Sequence, residues 1–305
     1  MALLSDLFGR MEHETLALCH SDDMSASLVT KSYKLYFNID ISSCDSSTSL
    51  GIFELLLSMV PADHRMHVDR LVEQCRLPCV IGYGEGKMKF KPKIIFEYSG
   101  SLLTTLLNTI SSFLIMLYVF RFREYESRAD AIRIIKDSLY NCGWKCSLEI
   151  VDRFEKVQFL KCSPARSVTG RVVSCLNLGV LVRAYGQKTF DLPGRGDLSV
   201  RISKFMRAWT MGLRFAGNHV ITDMLRAKHV PQGPAAYNSN AIERLEDGVG
   251  DYISSYSLCE RYDLSLYELE ELVSLWNSAD IGYTMECSAS NKILMLDYGL
   301  SNSSA

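Results

Sequence analysis

The sequence predicts an α+β fold, an antiparallel sheet backed by helices, followed by a mainly helical C-terminal part. Three observations predict it. Residues 16–28 and 34–42 carry strand patterns, the second with strict alternation of apolar and polar side chains. Helical periodicity runs from about residue 50 to Cys75 and again through 101–120 and 127–142. From Ala165 onward the pattern turns mainly helical.

The first element is a hairpin. Leu16, Ala17, Leu18 and Cys19 form an apolar run, and Met24, Ala26 and Leu28 share one face of the next, so Asp22 and Asp23 lie at the tip between two strands. In the following strand Leu35, Phe37, Ile39 and Ile41 alternate with Lys34, Tyr36, Asn38, Asp40 and Ser42, which points Asp40 off the buried face. Asp45 comes where that strand gives way to a turn. Most acidic pairs in turns are merely solvated. Here, however, neighbouring strands make Asp22 and Asp40 converge. Convergent carboxylates repel unless a cation sits between them, and hard oxygen ligands favour Mg²⁺ or Mn²⁺. Two such ions about 3.5–4 Å apart form the clamp used for in-line phosphoryl transfer.

One helix is expected up to Pro61 and a second from Ala62 to Cys75. The spacing of Gly82, Gly84, Gly86 and Lys87 fits neither a dinucleotide fingerprint nor a P-loop, and a Lys-alternating run follows instead of a helix. A hairpin is expected, with Lys87, Lys89, Lys91 and Lys93 on one face and Met88 and Phe90 opposite. It reads either as a phosphate-tracking ribbon or as an edge strand protected by lysines. After Ser99-Gly100 a helix places Thr104, Asn108 and Ser111 on one line, with Leu103, Leu106, Leu107, Ile110, Phe113 and Leu114 as its apolar side. Glycine at its entrance permits close approach of a ligand or a hinge; the alternative is a core helix whose polar residues bond to the preceding turn. A helix from Ser127 to a glycine stop at Gly143, strands over 144–150 and 156–162, a helix over 201–215 and a loop or lid over 229–237 follow. Ser265 and Glu268 form a capping box for a helix that buries Leu269, Leu272, Val273 and Leu275.

A chain of 305 residues holds one large domain or two, and 48% hydrophobic with 22% charged content is ordinary for a globular protein. The net charge of −2 excludes a global basic field, so any nucleic-acid contact must come from local patches. The ten cysteines lack zinc spacing; Cys75/Cys79 and Cys142/Cys146 have no accompanying histidines, and reduced thiols in a cytosolic setting are expected. Asp6 within MALLSDLFGR argues against a signal peptide. Leu102 to Phe120 is uncharged and nearly long enough to span a membrane, yet its Thr, Asn and Ser residues gather on one side, so no transmembrane segment is expected.

Taken together, these elements resemble the palm of a viral RNA-dependent RNA polymerase. The S-G-x3-T-x3-N signature of motif B is met at Ser99, Gly100, Thr104 and Asn108, and the D-x4-D of motif A at Asp40 and Asp45. Residues 127–150 look like motif D, and Phe159-Leu160-Lys161-Cys162 is similar to the F-L-K-R of motif E. No G-D-D of motif C occurs between motifs B and D; Ser21-Asp22-Asp23, ahead of motif A, is the near match, with serine in place of the first glycine. The order C-A-B is that of the permuted polymerases of permutotetraviruses and birnaviruses.

The resemblance implies palm segments over residues 1–50 and 99–164, a partial fingers insertion over 51–98 and a helical thumb over 165–305. It implies template-directed RNA synthesis with Mg²⁺ or Mn²⁺ in the cytoplasm of the host cell, acting on RNA template, primer and nucleoside triphosphates. Asp22 and Asp40 would ligate the metals with Asp23 assisting; Asp45, Asn108 and Ser99 would bond around the ribose 2′-OH; Lys145 is the nearest candidate for the motif D general acid, whose register the sequence leaves open, and Lys161 would touch the primer backbone. The basic motif F of relatives is missing, since Arg10 is the lone Arg or Lys ahead of Glu14. The fingers are therefore expected from a second polypeptide or a truncated region, and the chain alone is expected to extend primers poorly or not at all. Two rivals stand beside this reading. One is a reverse transcriptase, against which Asp45 and Asn108 argue; the other is a degenerate palm serving as an RNA-binding or scaffold subunit.

Overall fold

The computed structural model describes residues 2–83, 86–90, 95, 97, 101–121, 125–185, 197, 199–201, 216–228, 251–279 and 287–299. The fold is α+β with antiparallel sheets. It divides into two compact units, Thr15–Val151 and Met1–Glu14 with Asp152–Ala305. These boundaries run along different lines from the four segments read from the sequence: the first helix belongs with the C-terminal half, and the border lies at residue 152.

The unit Thr15–Val151 is built on a four-stranded antiparallel sheet of order β1-β2-β3-β6, from β1 (Leu16–His20), β2 (Asp23–Val29), β3 (Lys34–Ile41) and β6 (Cys146–Val151). Alternation decides its faces. Met24, Ala26, Leu28, Leu35, Phe37, Ile39 and Ile41 point to one side and bury against Ile115, Met116 and Val119 of α5 (Thr104–Val119) and Ala131, Ile135 and Leu139 of α6 (Arg128–Asn141). Each of the Met, Leu, Ile, Phe and Val side chains among them contributes about 1.5–3 kcal/mol by leaving water. Helix α6 starts where Ser127 Oγ accepts from Asp130 N at 3.1 Å and stops before Gly143 at φ +90°. Between β3 and α5 come α2 (Cys44–Ser47), α3 (Leu50–Met59) and α4 (Ala62–Gln74), then the ribbon of β4 (Cys79–Tyr83) and β5 (Gly86–Phe90). Every residue of β5 is exposed, with Lys87 and Lys89 on the face opposite Met88 and Phe90; Lys91 and Lys93 lie outside the described residues.

Helix α5 departs from the sequence reading. Leu103, Leu107 and Ile110 are buried as expected, but Leu106 and Phe113 are exposed, while Asn108, Ser111 and Ser112 are buried. The inward arc of this helix lies over a strand turn and a carboxylate whose polar groups need partners, as described below, so polar side chains go inside. Leu102 and Leu117 extend the outward apolar stripe. No described helix is long and apolar enough to cross a membrane.

The second unit brings α1 (Ala2–Met11) onto a hairpin of β7 (Cys162–Arg166) and β8 (Val172–Leu176). Ser5 Oγ accepts from Ser174 N at 2.8 Å, and Phe8 and Met11 are fully buried. This corrects two expectations. The strand placed over 156–162 is instead a 3₁₀ turn (Phe154–Lys156) and a tight loop; Phe159 and Cys162 exchange hydrogen bonds of 2.8 and 3.0 Å around Leu160 and Lys161, both at positive φ. That is the backbone of a two-residue hairpin turn, which matches strand twist. The stretch after Ala165, read as helical, continues as strand because α1 supplies a distant apolar partner. The 201–215 helix and the 229–237 lid fall on residues outside those described, apart from Arg201.

The helices of this unit, α7 (Leu178–Tyr185), Val220–Lys228, Ser255–Tyr262, Leu266–Ser278 and Ser288–Tyr298, enclose a core of Leu178, Ile221, Leu225, Leu258, Leu272, Trp276 and Ile293. An ion pair lies inside it. Arg261 Nη2 reaches Asp297 Oδ1 at 2.8 Å, and Asp297 Oδ2 accepts from Tyr262 Oη at 2.9 Å and Gly179 N at 2.8 Å. Burial pushes the Tyr262 phenol up. A Cβ on residue 179 would stand 2.7 Å from that of Asp297, so only glycine fits. The Cys175 thiol, also enclosed, is pushed by burial up to about 12.

The expected capping box is present: Glu268 N donates to Ser265 Oγ at 3.2 Å, and Ser265 N to Glu268 Oε2 at 2.8 Å. Lys292, bonded to Glu268 at 2.8 Å, is the first cause holding this carboxyl down to about 2, from an ordinary 4.5. A depressed carboxyl adds stability above its unfolded pKa and loses it as pH falls through the folded one. The melting-temperature gap between the protein and Glu268→Gln will therefore be full near neutrality and close between about pH 4.5 and 2.

Candidate active site

The strand register sets one row of side chains across the sheet. His20 of β1 opposes Asp23 of β2, Asp23 opposes Asp40 of β3, and Asp40 opposes Ser147 of β6. Directly opposed residues share a face with Cβ atoms about 4.5–5.5 Å apart, so Asp23 and Asp40 are immediate neighbours on the side away from α5 and α6. The sequence reading paired Asp40 with Asp22. In the structure Asp23 holds the opposing position and Asp22 sits one residue along, in the two-residue loop.

That loop is held from outside the sheet. Ser21 adopts φ +53°, the left-handed region that disfavours a residue with a Cβ. Its N–H donates to Thr109 Oγ1 at 2.8 Å, and its carbonyl accepts from Ser112 Oγ at 2.5 Å, both from α5.

Next to Thr109, on the preceding residue of α5, the chain closes a second contact with Asp45 of α2. Asn108 Nδ2 donates to Asp45 Oδ1 at 2.7 Å, joining residues 63 apart. Asn108 is 2% exposed, and its Oδ1 has no protein donor among the described residues. Beside it Glu97 is fully buried, accepting from Thr48 Oγ1 and Ser101 Oγ at 3.4 Å each, with a further hydrogen bond from Thr104. Burial, and after it Asp45, push the Glu97 carboxyl up. The Cys44 thiol reports how these charges gather: burial raises it to about 12, helped by Asp22, Asp45, Glu97 and Asp40 in that order. Cys146, 3.9 Å from the Cys142 sulfur, is likewise raised to about 12 by burial first.

The remaining expected residues fall as follows. Thr104 opens α5 and bonds with Ser101 at 3.1 Å. Lys145 is exposed; its carbonyl accepts from Ser42 N at 2.9 Å, two residues from Ser147, which puts its side chain on the Asp40 face. Lys161 lies in the turn before β7, in the other unit. Ser99 and Gly100 lie outside the described residues. Glu97, Thr109 and Ser112 were not anticipated. An acid inside the apolar run Ile94-Ile95-Phe96-Glu97 was the available signal for the first, and a helical wheel centred on Asn108 for the others.

Among the described residues, no three His, Cys, Asp or Glu side chains form a group that could hold a metal ion. The donors at hand are nonetheless all carboxylate oxygens, two of them opposed on adjacent strands. Mg²⁺ commonly takes one or two carboxylates and completes its shell with water and substrate phosphates. The donor set fits that mode and not a closed protein cage.

No family model matches the chain, and no curated protein sequence matches it. Among solved structures it is similar to the RNA polymerase VP1 from infectious pancreatic necrosis virus, at 12% identity and a TM-score of 0.46, over 97% of this chain and 41% of that one. It is also similar to the birnavirus VP1–VP3 complex, at 11% identity and a TM-score of 0.42, over 97% of this chain and 49% of that one. The chain spans less than half the length of either structure's chain.

Proposed function

We propose that Thr15–Val151 is the palm of an RNA-dependent RNA polymerase with permuted motifs, catalysing template-directed nucleotidyl transfer with Mg²⁺ or Mn²⁺. The observation that carries this reading is the register that sets Asp23 against Asp40, with Asp22 in the adjoining loop. Bound there, divalent cations would lower the pKa of a primer hydroxyl and neutralise triphosphate charge. The chain's own residues do the rest. Asp22, Asp23 and Asp40 supply the anionic ledge. Asn108, oriented by its bond to Asp45 and with no donor to its Oδ1 among the described residues, would accept from a hydroxyl, as a ribose 2′-OH provides and a deoxyribose does not. Lys145, on the Asp40 face, is placed to give a proton to departing pyrophosphate. Lys161 contacts the primer backbone, and the fingers come from a second polypeptide or from a further region of the same one, within a replication complex in the host cytoplasm.

The test is Mg²⁺-dependent primer extension on RNA template, with and without co-encoded proteins. Extension is expected only with the partner, and with ribonucleotides over deoxyribonucleotides. Preference for deoxyribonucleotides would favour a reverse transcriptase. A second reading is a catalytically silent palm that binds RNA or acts as a scaffold. It predicts RNA binding with no incorporation under any combination of partners.

A further inference from the structure

We propose that Thr109 and Ser112 are positioning residues that hold the Ser21 peptide in its left-handed conformation and so fix where the Asp22 carboxylate points. The proposal rests on the polymerase reading for its catalytic consequence, but not for the clamp itself. A serine at positive φ is strained relative to the right-handed regions. Left alone, the loop residue would relax and swing the next side chain away. Here both of its peptide polar groups are taken. Thr109 Oγ1 gives its own proton to the Thr105 carbonyl at 2.5 Å, which leaves a lone pair for the Ser21 N–H. Ser112, fully buried, donates to the Ser21 carbonyl. The pair therefore recognises one peptide orientation and no flipped one. Two side chains, 88 and 91 residues away in sequence, stand in for the backbone freedom that glycine would have.

The distinguishing experiment is a double-mutant cycle with Ser21→Gly. In the assembled polymerase, Ser112→Ala and Thr109→Val are each expected to lower kcat about tenfold with KM for the nucleotide little changed. In the Ser21→Gly background the same substitutions should cost less than about threefold, because glycine holds the turn unaided, and Ser112→Thr should restore the hydroxyl and the rate. Amide hydrogen exchange supplies a readout that needs no activity. The Ser21 N–H should be protected in the full chain, exchange at least tenfold faster in Thr109→Val, and in Ser112→Ala the peptide group should show the shifted resonances of a relaxed loop. Equal losses in both backgrounds, or a Ser21 amide insensitive to Thr109→Val, would overturn the clamp. Inactivity of every variant, wild type included, with the exchange effects intact would count against the polymerase reading and support the clamp.

Discussion

On the proposed polymerase reading, Asp40→Ala will reduce nucleotide incorporation, assayed with the fingers supplied, about 10³-fold, while leaving the unfolding free energy within about 0.5 kcal/mol of the parent. The two parts of that expectation have different causes. Asp40 is exposed on the sheet face opposite the core, so no cavity follows its truncation. Removing one of two carboxylates directly opposed across β2 and β3 also relieves like-charge repulsion, which offsets any lost contact. Catalysis loses a charge aimed at the cation and its phosphates, which nothing else on β3 can replace. Asp40→Asn keeps the volume and should lose nearly as much rate, assigning the effect to charge. Steady-state extension paired with denaturant titration checks both halves; a variant with ordinary rate would remove the acid pair from the mechanism.

Asp297→Ala will destabilise the second unit by about 3–5 kcal/mol, read as a lowered denaturant midpoint by tryptophan fluorescence. Arg261 and Asp297 have side chains only 6% and 2% exposed, so truncation leaves a guanidinium buried without its counter-charge. It also strips the acceptor from Gly179 N and Tyr262 Oη. The remaining bond from Arg261 to the Glu155 carbonyl, 2.8 Å, does not neutralise the charge. The double variant Arg261→Met with Asp297→Leu should recover part of the loss, because the penalty lies in the widowed charge more than in the missing pair. A double variant worse than the single would show instead that the packing of this site dominates.

Much of the site was written in local pattern. Alternation in Leu35–Ile41 and the short loop at Ser21–Asp22 were enough to bring acids from two strands to one edge, because period and turn length fix register once one face is buried. They could not say which acid opposes Asp40; a single residue of loop decides that, and it is Asp23. The motif resemblance set Asp45 and Asn108 around one ribose hydroxyl, but the bond between them was not read from the sequence, since periodicity carries no information on pairing between residues 63 apart. Helix α5 was misread for a related reason. Its hydrophobic side identifies a stripe but not which side faces inward, and inside lay the Asp45 carboxylate, met by Asn108, and the Ser21 backbone groups, met by Thr109 and Ser112. The β7–β8 hairpin was hidden because its apolar cover comes from α1, at the far end of the chain. Glu97 went unnoticed because an acid after a lysine-rich ribbon reads as solvated until its three hydroxyl partners fold around it.

The enclosed thiols have a practical corollary. Electrophiles attack sulfur as the anion, and at pH 7–8 a thiol pushed up to about 12, as at the buried Cys44 and Cys175, exists in that form in roughly one molecule in ten thousand or fewer. Alkylating reagents will therefore pass over these positions in the folded chain and modify them as fast as each region opens, making every one a built-in clock. Cys44 times the breathing of the acid-bearing unit, and Cys175 that of the helical half.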